Sequence, residues 1–163
     1  MVELLISMTV MAIGLLAVFA MFESSILSIT RASTTSTTSA LADAEMENYR
    51  AIRHEVIGID EADIAGVDGT YTGDSAYESN AADREHVLTC ASNPAPCTDT
   101  LPTQNLIGAD GKQYRVDTYI VNQQVNGGIG RDVKLVTIVV REGSDPSKEW
   151  ARVASSFDES TGF

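Results

Sequence analysis

No lysine or arginine precedes Arg31, and no proline precedes Pro94. The first absence argues against a cleaved secretory signal, which opens on a basic region, carries an apolar stretch of about 7–15 residues and ends in small residues. It also leaves the N-terminal flank without the Lys/Arg bias that orients membrane helices. The second absence means that nothing upstream of Pro94 forces a helix to kink. Cysteine is limited to Cys90 and Cys97, whose spacing is neither a metal nor a haem signature. Histidine is limited to His54 and His86, with no third residue in sequence to orient either as a base, so both are expected to be solvated. No phosphate-cradling glycine motif follows a strand, and neither cysteine has a nucleophile signature, so no enzyme and no cofactor is expected. Cations are scarce as well: 11 Lys and Arg stand against 23 Asp and Glu, a net charge of −12. An acidic surface repels phosphate backbones, which disfavours direct nucleic-acid binding.

What the chain does have is an apolar run close to its start. The residues from Leu4 to Phe22, between Glu3 and Glu23, carry no formal charge. At about 1.5 Å rise per residue such a helix is roughly as long as the ~30 Å hydrocarbon core of a bilayer is thick. Glu3 at its edge is awkward, because a charge carried into hydrocarbon costs about 2.5–3.5 kcal/mol and needs a partner. Packing such helices side by side would remove their large side chains from water, worth about 1.5–3 kcal/mol each.

The stretch from Val2 to Val18, Val2-Glu3-Leu4-Leu5-Ile6-Ser7-Met8-Thr9-Val10-Met11-Ala12-Ile13-Gly14-Leu15-Leu16-Ala17-Val18, resembles the N-terminal helix of bacterial type IV pilins and type II secretion pseudopilins. In that family a basic leader is removed by a prepilin peptidase, the new amine is methylated, and one Glu is the charge in the apolar helix. Glu3 is the matching position. The family has four residues before this Glu whereas Met1 and Val2 precede it here, so two mature residues and a leader are expected upstream. The resemblance implies an α+β fold, with a long N-terminal helix packed by its second half on a small antiparallel sheet. It also implies a helical filament of identical subunits in which Glu3 meets a neighbour's N-terminal amine and Leu4, Leu5 and Ile6 join the assembly contact. Gly14 marks where the family's helix loosens on assembly; close helix packing at a small residue is the alternative. The implied partners are inner-membrane pilus assembly machinery and minor pilins. The implied location is the cytoplasmic membrane, then the extracellular fibre. Two other readings stay open: a minor pilin or pseudopilin that primes or tips a fibre, and a membrane-anchored adhesin that never polymerises.

Along the chain four regions follow. Residues 1–23 form the apolar helix, and residues 24–57, free of Gly and Pro after Glu23, its amphipathic continuation. Leu41, Tyr49, Ile52 and Val56 fall on one arc of that continuation, and Gly58 suits its C-terminal cap. The tract Ser33-Thr34-Thr35-Ser36-Thr37-Thr38-Ser39 lowers helix propensity, yet hydroxyls bonding to the preceding turn let the helix run on. Residues 58–112 read as an acidic αβ-loop region, a long connection with a small hairpin or short helix, with ten acids against Arg84 and Lys112. No spacing in it matches a calcium loop, and a solvated acidic face is expected. Cys90 and Cys97 bracket a loop stiffened by Pro94 and Pro96 and suggest a disulfide worth about 2–3 kcal/mol, free buried thiols being the alternative. Residues 113–163 are strand-like, with runs at 114–121, 133–140 and 150–157, and turn signals at Asn126-Gly127-Gly128 and Gly143-Ser144-Asp145-Pro146 predict an antiparallel meander.

Overall fold

The computed structural model describes residues 2–80, 83–84, 101–124 and 132–158. The fold is α+β. Helix α1 covers Val2–Ala51, two short helices follow at Glu61–Ile64 (α2) and Gly69–Thr72 (α3), and strands β1 (Thr103–Ile107), β2 (Gln113–Gln124), β3 (Asp132–Glu142) and β4 (Glu149–Asp158) come last. The chain divides into two compact units, residues 1–36 and residues 37–163.

In the second unit the strands form one antiparallel sheet in the order β1-β2-β3-β4. Period-two alternation sends Tyr114, Val116 and Ile120 to one face and Arg115, Asp117 and Tyr119 to the other. The first face meets α1: Ala42, Met46 and Tyr49 share a buried cluster with Tyr114, Val116, Ile120, Val136, Ile138 and Val140. The helix contributes residues four and three apart, as one helical face should. β3 is β-branched on both faces because both are covered, Val139 packing on the opposite side with Tyr71 and Tyr119. The hairpin between β1 and β2 closes on Gly111, whose φ of 75° suits glycine. Beside it Gly108 lies so close to α1 that a Cβ there would come within 2.7 Å of Thr37 Cγ2 and of the Tyr114 ring.

Two expectations need correction. The helix stops at Ala51, six residues short of Ile57, and Gly58 is not its cap. Arg53 adopts an extended conformation, and a 3-10 turn spans His54–Val56. Tertiary burial decides this: Ile57 and Ile59 are both 1 % exposed in the core, and residues two apart on a helix would diverge. Lys134 secures the turn by donating from Nζ to the carbonyls of His54 (2.8 Å) and Ile57 (2.9 Å). The helix's buried apolar stripe is therefore Ala42, Met46 and Tyr49, with Leu41 and Ile52 beside it and Val56 off the helix. His54 is buried rather than solvated, because that turn carries it inward. The region 58–112, read as loop with a small hairpin or short helix, carries α2, α3 and the five-residue edge strand β1. The three strand runs of residues 113–158 and the continuous helix through the Ser/Thr tract match expectation. The turn signal at 126–128 lies outside the described residues.

Candidate functional site

The first unit is, from Val2 to Ile29, a bare helix surface with nothing packed on it among the described residues. From Val2 to Ile29 every large apolar side chain is at least 49 % exposed, with Leu4 at 67 %, Leu5 at 65 % and Ile6 at 58 %. Soluble monomers seldom expose contiguous apolar patches beyond a few hundred Å², so a surface of this length calls for lipid or protein around it. The helix is long and apolar enough to cross a membrane. Four of its hydroxyls are already satisfied. Ser7, Thr9, Ser25 and Thr30 donate to the carbonyls of Glu3, Leu5, Met21 and Ile26, each four residues back, at 2.9–3.0 Å. Side chains bonded this way need no water, which suits an apolar setting.

Glu3 occupies the first turn of this helix, where the macrodipole favours a carboxylate by about 0.3–1 kcal/mol. Its carboxylate has no partner among the described residues. Leu4, Leu5 and Ile6 follow it around the helix, and Gly14 sits a few turns on within an uninterrupted helix. A Cβ added at Gly14 would meet nothing within 4 Å, so nothing inside the chain demands glycine there.

In the second unit the sheet face away from α1 carries a feature that the sequence reading missed. Asp117, fully buried on β2, accepts hydrogen bonds from Arg115 Nε (2.7 Å), Arg141 Nε (3.0 Å) and the Thr103 hydroxyl (2.9 Å). The Arg115 fork clasps Asp68, with Nη2 donating to Oδ1 at 2.8 Å. Arg141 reaches Asp74, which also receives both terminal nitrogens of Arg152 at 3.0 and 2.8 Å, and Arg152 goes on to Glu149 at 2.7 Å. Four carboxylates and three guanidinium groups thus form one unbroken chain running from β2 to the outer edge of β4. Asp68 and Asp74 flank α3 in sequence, so this chain staples the segment around α3 onto the sheet. Tyr71 completes the attachment: it stacks on Tyr119 with ring centroids 4.4 Å apart, and its hydroxyl donates to the Thr118 carbonyl at 2.6 Å.

The electrostatics follow from that pairing. The Arg115 hydrogen bond holds the Asp68 carboxyl well below its ordinary range, despite some burial. Burial pushes Asp74 upward, but the Arg152 hydrogen bond, the Ala76 N–H and the charges of Arg152 and Arg141 outweigh it, and the net shift is downward. Burial first, and then the charge of Asp117, drives the Tyr71 and Tyr119 hydroxyls up, Tyr119 itself adding to the shift of Tyr71. Every carboxylate here is occupied by a cation. The arrangement is an electrostatic clamp.

This corrects the picture of a uniformly solvated acidic face, since Asp74 is 4 % exposed and Asp110 accepts the Tyr114 hydroxyl at 2.7 Å. One signal could have revealed the clamp: Arg115, Asp117 and Tyr119 alternate along a strand, placing opposite charges side by side on a face that would otherwise be apolar. Asp68 and Arg115 also border a cavity of about 330 Å³ with Val67, Leu101 and Pro102, and their polar atoms there are already bonded to each other. No group of three or more His, Cys, Asp or Glu among the described residues could hold a metal ion. Cys90, Cys97 and His86 lie outside the described residues. Comparison with protein-family models, with curated proteins and with solved structures returns no match.

Proposed function

We propose that this chain is a structural subunit of an extracellular filament of the type IV pilus kind, held in the cytoplasmic membrane by α1 before assembly. The observation that carries the reading is the apolar surface from Val2 to Ile29, bare on every side of the helix and with Glu23 its only charge after Glu3. A helix that serves only as an anchor needs lipid around it. A helix that also opens with an unpartnered carboxylate needs a cation at its apolar end, and a neighbouring subunit's N-terminal amine supplies one.

Glu3 then fixes how neighbours slide past one another. A stagger that misses the amine strands a charge in an apolar core, and breaking a buried pair in this way costs about 3–5 kcal/mol. Leu4, Leu5 and Ile6 pack around that contact, while the second unit, clamped by its arginine and carboxylate chain, faces water. The test is Glu3→Ala in the full-length protein, read as the amount of subunit in sheared surface fibres against the amount left in the membrane. Loss of fibres with unchanged membrane-bound subunit is expected. Wild-type fibre yield from the variant removes Glu3 from the mechanism, and a wild-type chain found only as detergent-soluble monomer sinks the filament reading in favour of a non-polymerising adhesin.

A further inference from the structure

Between Val2 and Leu41 only three side chains ionise, Glu3, Glu23 and Arg31. All three are exposed, and none has a partner among the described residues. Glu23 does not mark the end of the bare apolar surface, because Ile26, Leu27 and Ile29 beyond it are 62 %, 60 % and 70 % exposed. Whatever covers the helix covers Glu23 too. Arg31 is equally out of place: among the described residues every other Lys or Arg except Arg53 is engaged, Arg50 by Glu47, Lys148 by Glu142 and Lys134 by backbone carbonyls, for example.

Glu23 and Arg31 are eight residues apart, about 12 Å along a helix, too far to bond to each other within one chain. A second copy lying parallel and shifted by eight residues brings Glu23 of one beside Arg31 of the other. Residues 4–22 of one copy then lie along residues 12–30 of the other, so apolar surface still meets apolar surface. The alternatives fail on charge, on burial or on direction: an antiparallel pair joining Glu3 to Arg31 keeps the apolar overlap but leaves Glu23 opposite Met11, and copies anchored in one membrane in one orientation do not run antiparallel. Unshifted parallel copies set each of the three charges against its own kind. An antiparallel pair joining Glu23 to Arg31 lays residues 4–22 along residues 32–50, which carry Asp43, Glu45, Glu47 and Arg50. Joining Glu3 to Arg31 in parallel needs the same polar overlap. Eight positions at 100° each leave Glu23 and Arg31 roughly 80° apart around the helix, so each subunit offers the acid to one neighbour and the base to another. Such a head-to-tail contact does not close on itself, and it propagates.

We infer that Glu23 and Arg31 form an ion pair between parallel copies of this chain staggered by about eight residues, a second register contact distinct from the one made by Glu3. The inference rests on the filament reading. Glu3 reaches an amine only a few residues along its neighbour's helix, so the two contacts belong to different neighbours. Both charges become desolvated together with Ile26, Leu27 and Ile29, which makes the pairing selective for stagger.

The test uses the full-length chain with its own assembly machinery. Glu23→Arg and Arg31→Glu are each expected to lower the sheared-fibre yield by about tenfold or more while membrane-bound subunit stays constant, and the double swap is expected to recover it to within about twofold. Co-expressed Glu23→Cys and Arg31→Cys subunits should give a crosslinked dimer in fibres, absent when either variant is expressed alone. Wild-type yield from the single reversals overturns the inference. So do fibres of the mixed cysteine variants that contain no crosslinked dimer, and where the swap fails to recover, this crosslink decides. A wild-type chain that yields no fibre at all fails earlier, at the filament reading itself.

Discussion

Asp117→Ala isolates the centre of the clamp. The carboxylate it removes is 0 % exposed and accepts three hydrogen bonds, from Arg115, Arg141 and Thr103, while the two arginine side chains are only 9 % and 8 % exposed. Deleting one partner of a buried ion pair costs about 3–5 kcal/mol, because the remaining charge keeps its desolvation penalty. Here Arg115 and Arg141 still grip Asp68 and Asp74, which places the expected loss at the lower end, about 3 kcal/mol. With a urea dependence of about 1–3 kcal/mol per molar, the unfolding midpoint should fall by roughly 1–3 M. The assay is urea unfolding of the full-length chain in detergent, followed by fluorescence of Trp150, the sole tryptophan, which packs partly buried against the core. Joint replacement as Arg115→Met, Asp117→Leu and Arg141→Met should cost less than Asp117→Ala alone, since it strands no charge in the interior. A midpoint change equivalent to about 0.5 kcal/mol or less, the value of an exposed pair, would refute the claim that this network clamps the segment around α3.

Acid should loosen the same clamp. Asp68 and Asp74 have carboxyls held below their ordinary value of 3.8, so their contribution is fully present above it and is lost as pH falls from about 4 toward their lowered folded values. Urea midpoints should be flat from about pH 7 to 5 and drop below about pH 4, with a smaller drop for Asp74→Asn measured over the same range. Gly108→Ala drives a methyl group to within 2.7 Å of Thr37 and Tyr114 and should destabilise the second unit by about 1–3 kcal/mol, whereas exposed Gly66→Ala should cost far less in the same melts. Gly14→Ala meets no atom within 4 Å and favours the helix by about 1 kcal/mol, so unchanged membrane insertion with a reduced fibre yield would place the role of Gly14 at a subunit contact. An unreduced chain should take up no thiol-alkylating reagent when unfolded if Cys90 and Cys97 are joined; two alkylations would remove the disulfide.

Periodicity made the strands and the helix legible. Six of the eight residues from Val133 to Val140 are β-branched because both faces of β3 are covered, and no other element offers that pattern. The apolar run from Leu4 to Phe22 likewise declares a helix without a local partner. What escaped is tertiary in origin. Nothing near Ile52 breaks a helix; the chain turns because Ile57 and Ile59 gain more from the core than from two further helical turns, and Lys134, far along the sequence, ties down the carbonyls that this turn frees. The clamp escaped for a related reason. Asp68 and Asp74 look like loop acids, and only the folded sheet shows that Arg115, Arg141 and Arg152 stand opposite them.

The two units treat charge in opposite ways, and that difference bears on function. In the second unit the carboxylates that reach the sheet are neutralised within the chain, so the segment around α3 stays attached without an outside partner. The first unit could have been equally self-sufficient, because an acid placed three or four residues before Arg31 would pair with it along the helix. Ser28 and Leu27 stand there instead, and the acid sits at Glu23, one turn out of reach. A chain that merely needed an anchor would gain nothing from charges positioned beyond each other's reach on an apolar rod. A chain that must choose one stagger among many does gain, because apolar contact alone is nearly indifferent to sliding and a pair of opposite charges satisfied at one offset is not.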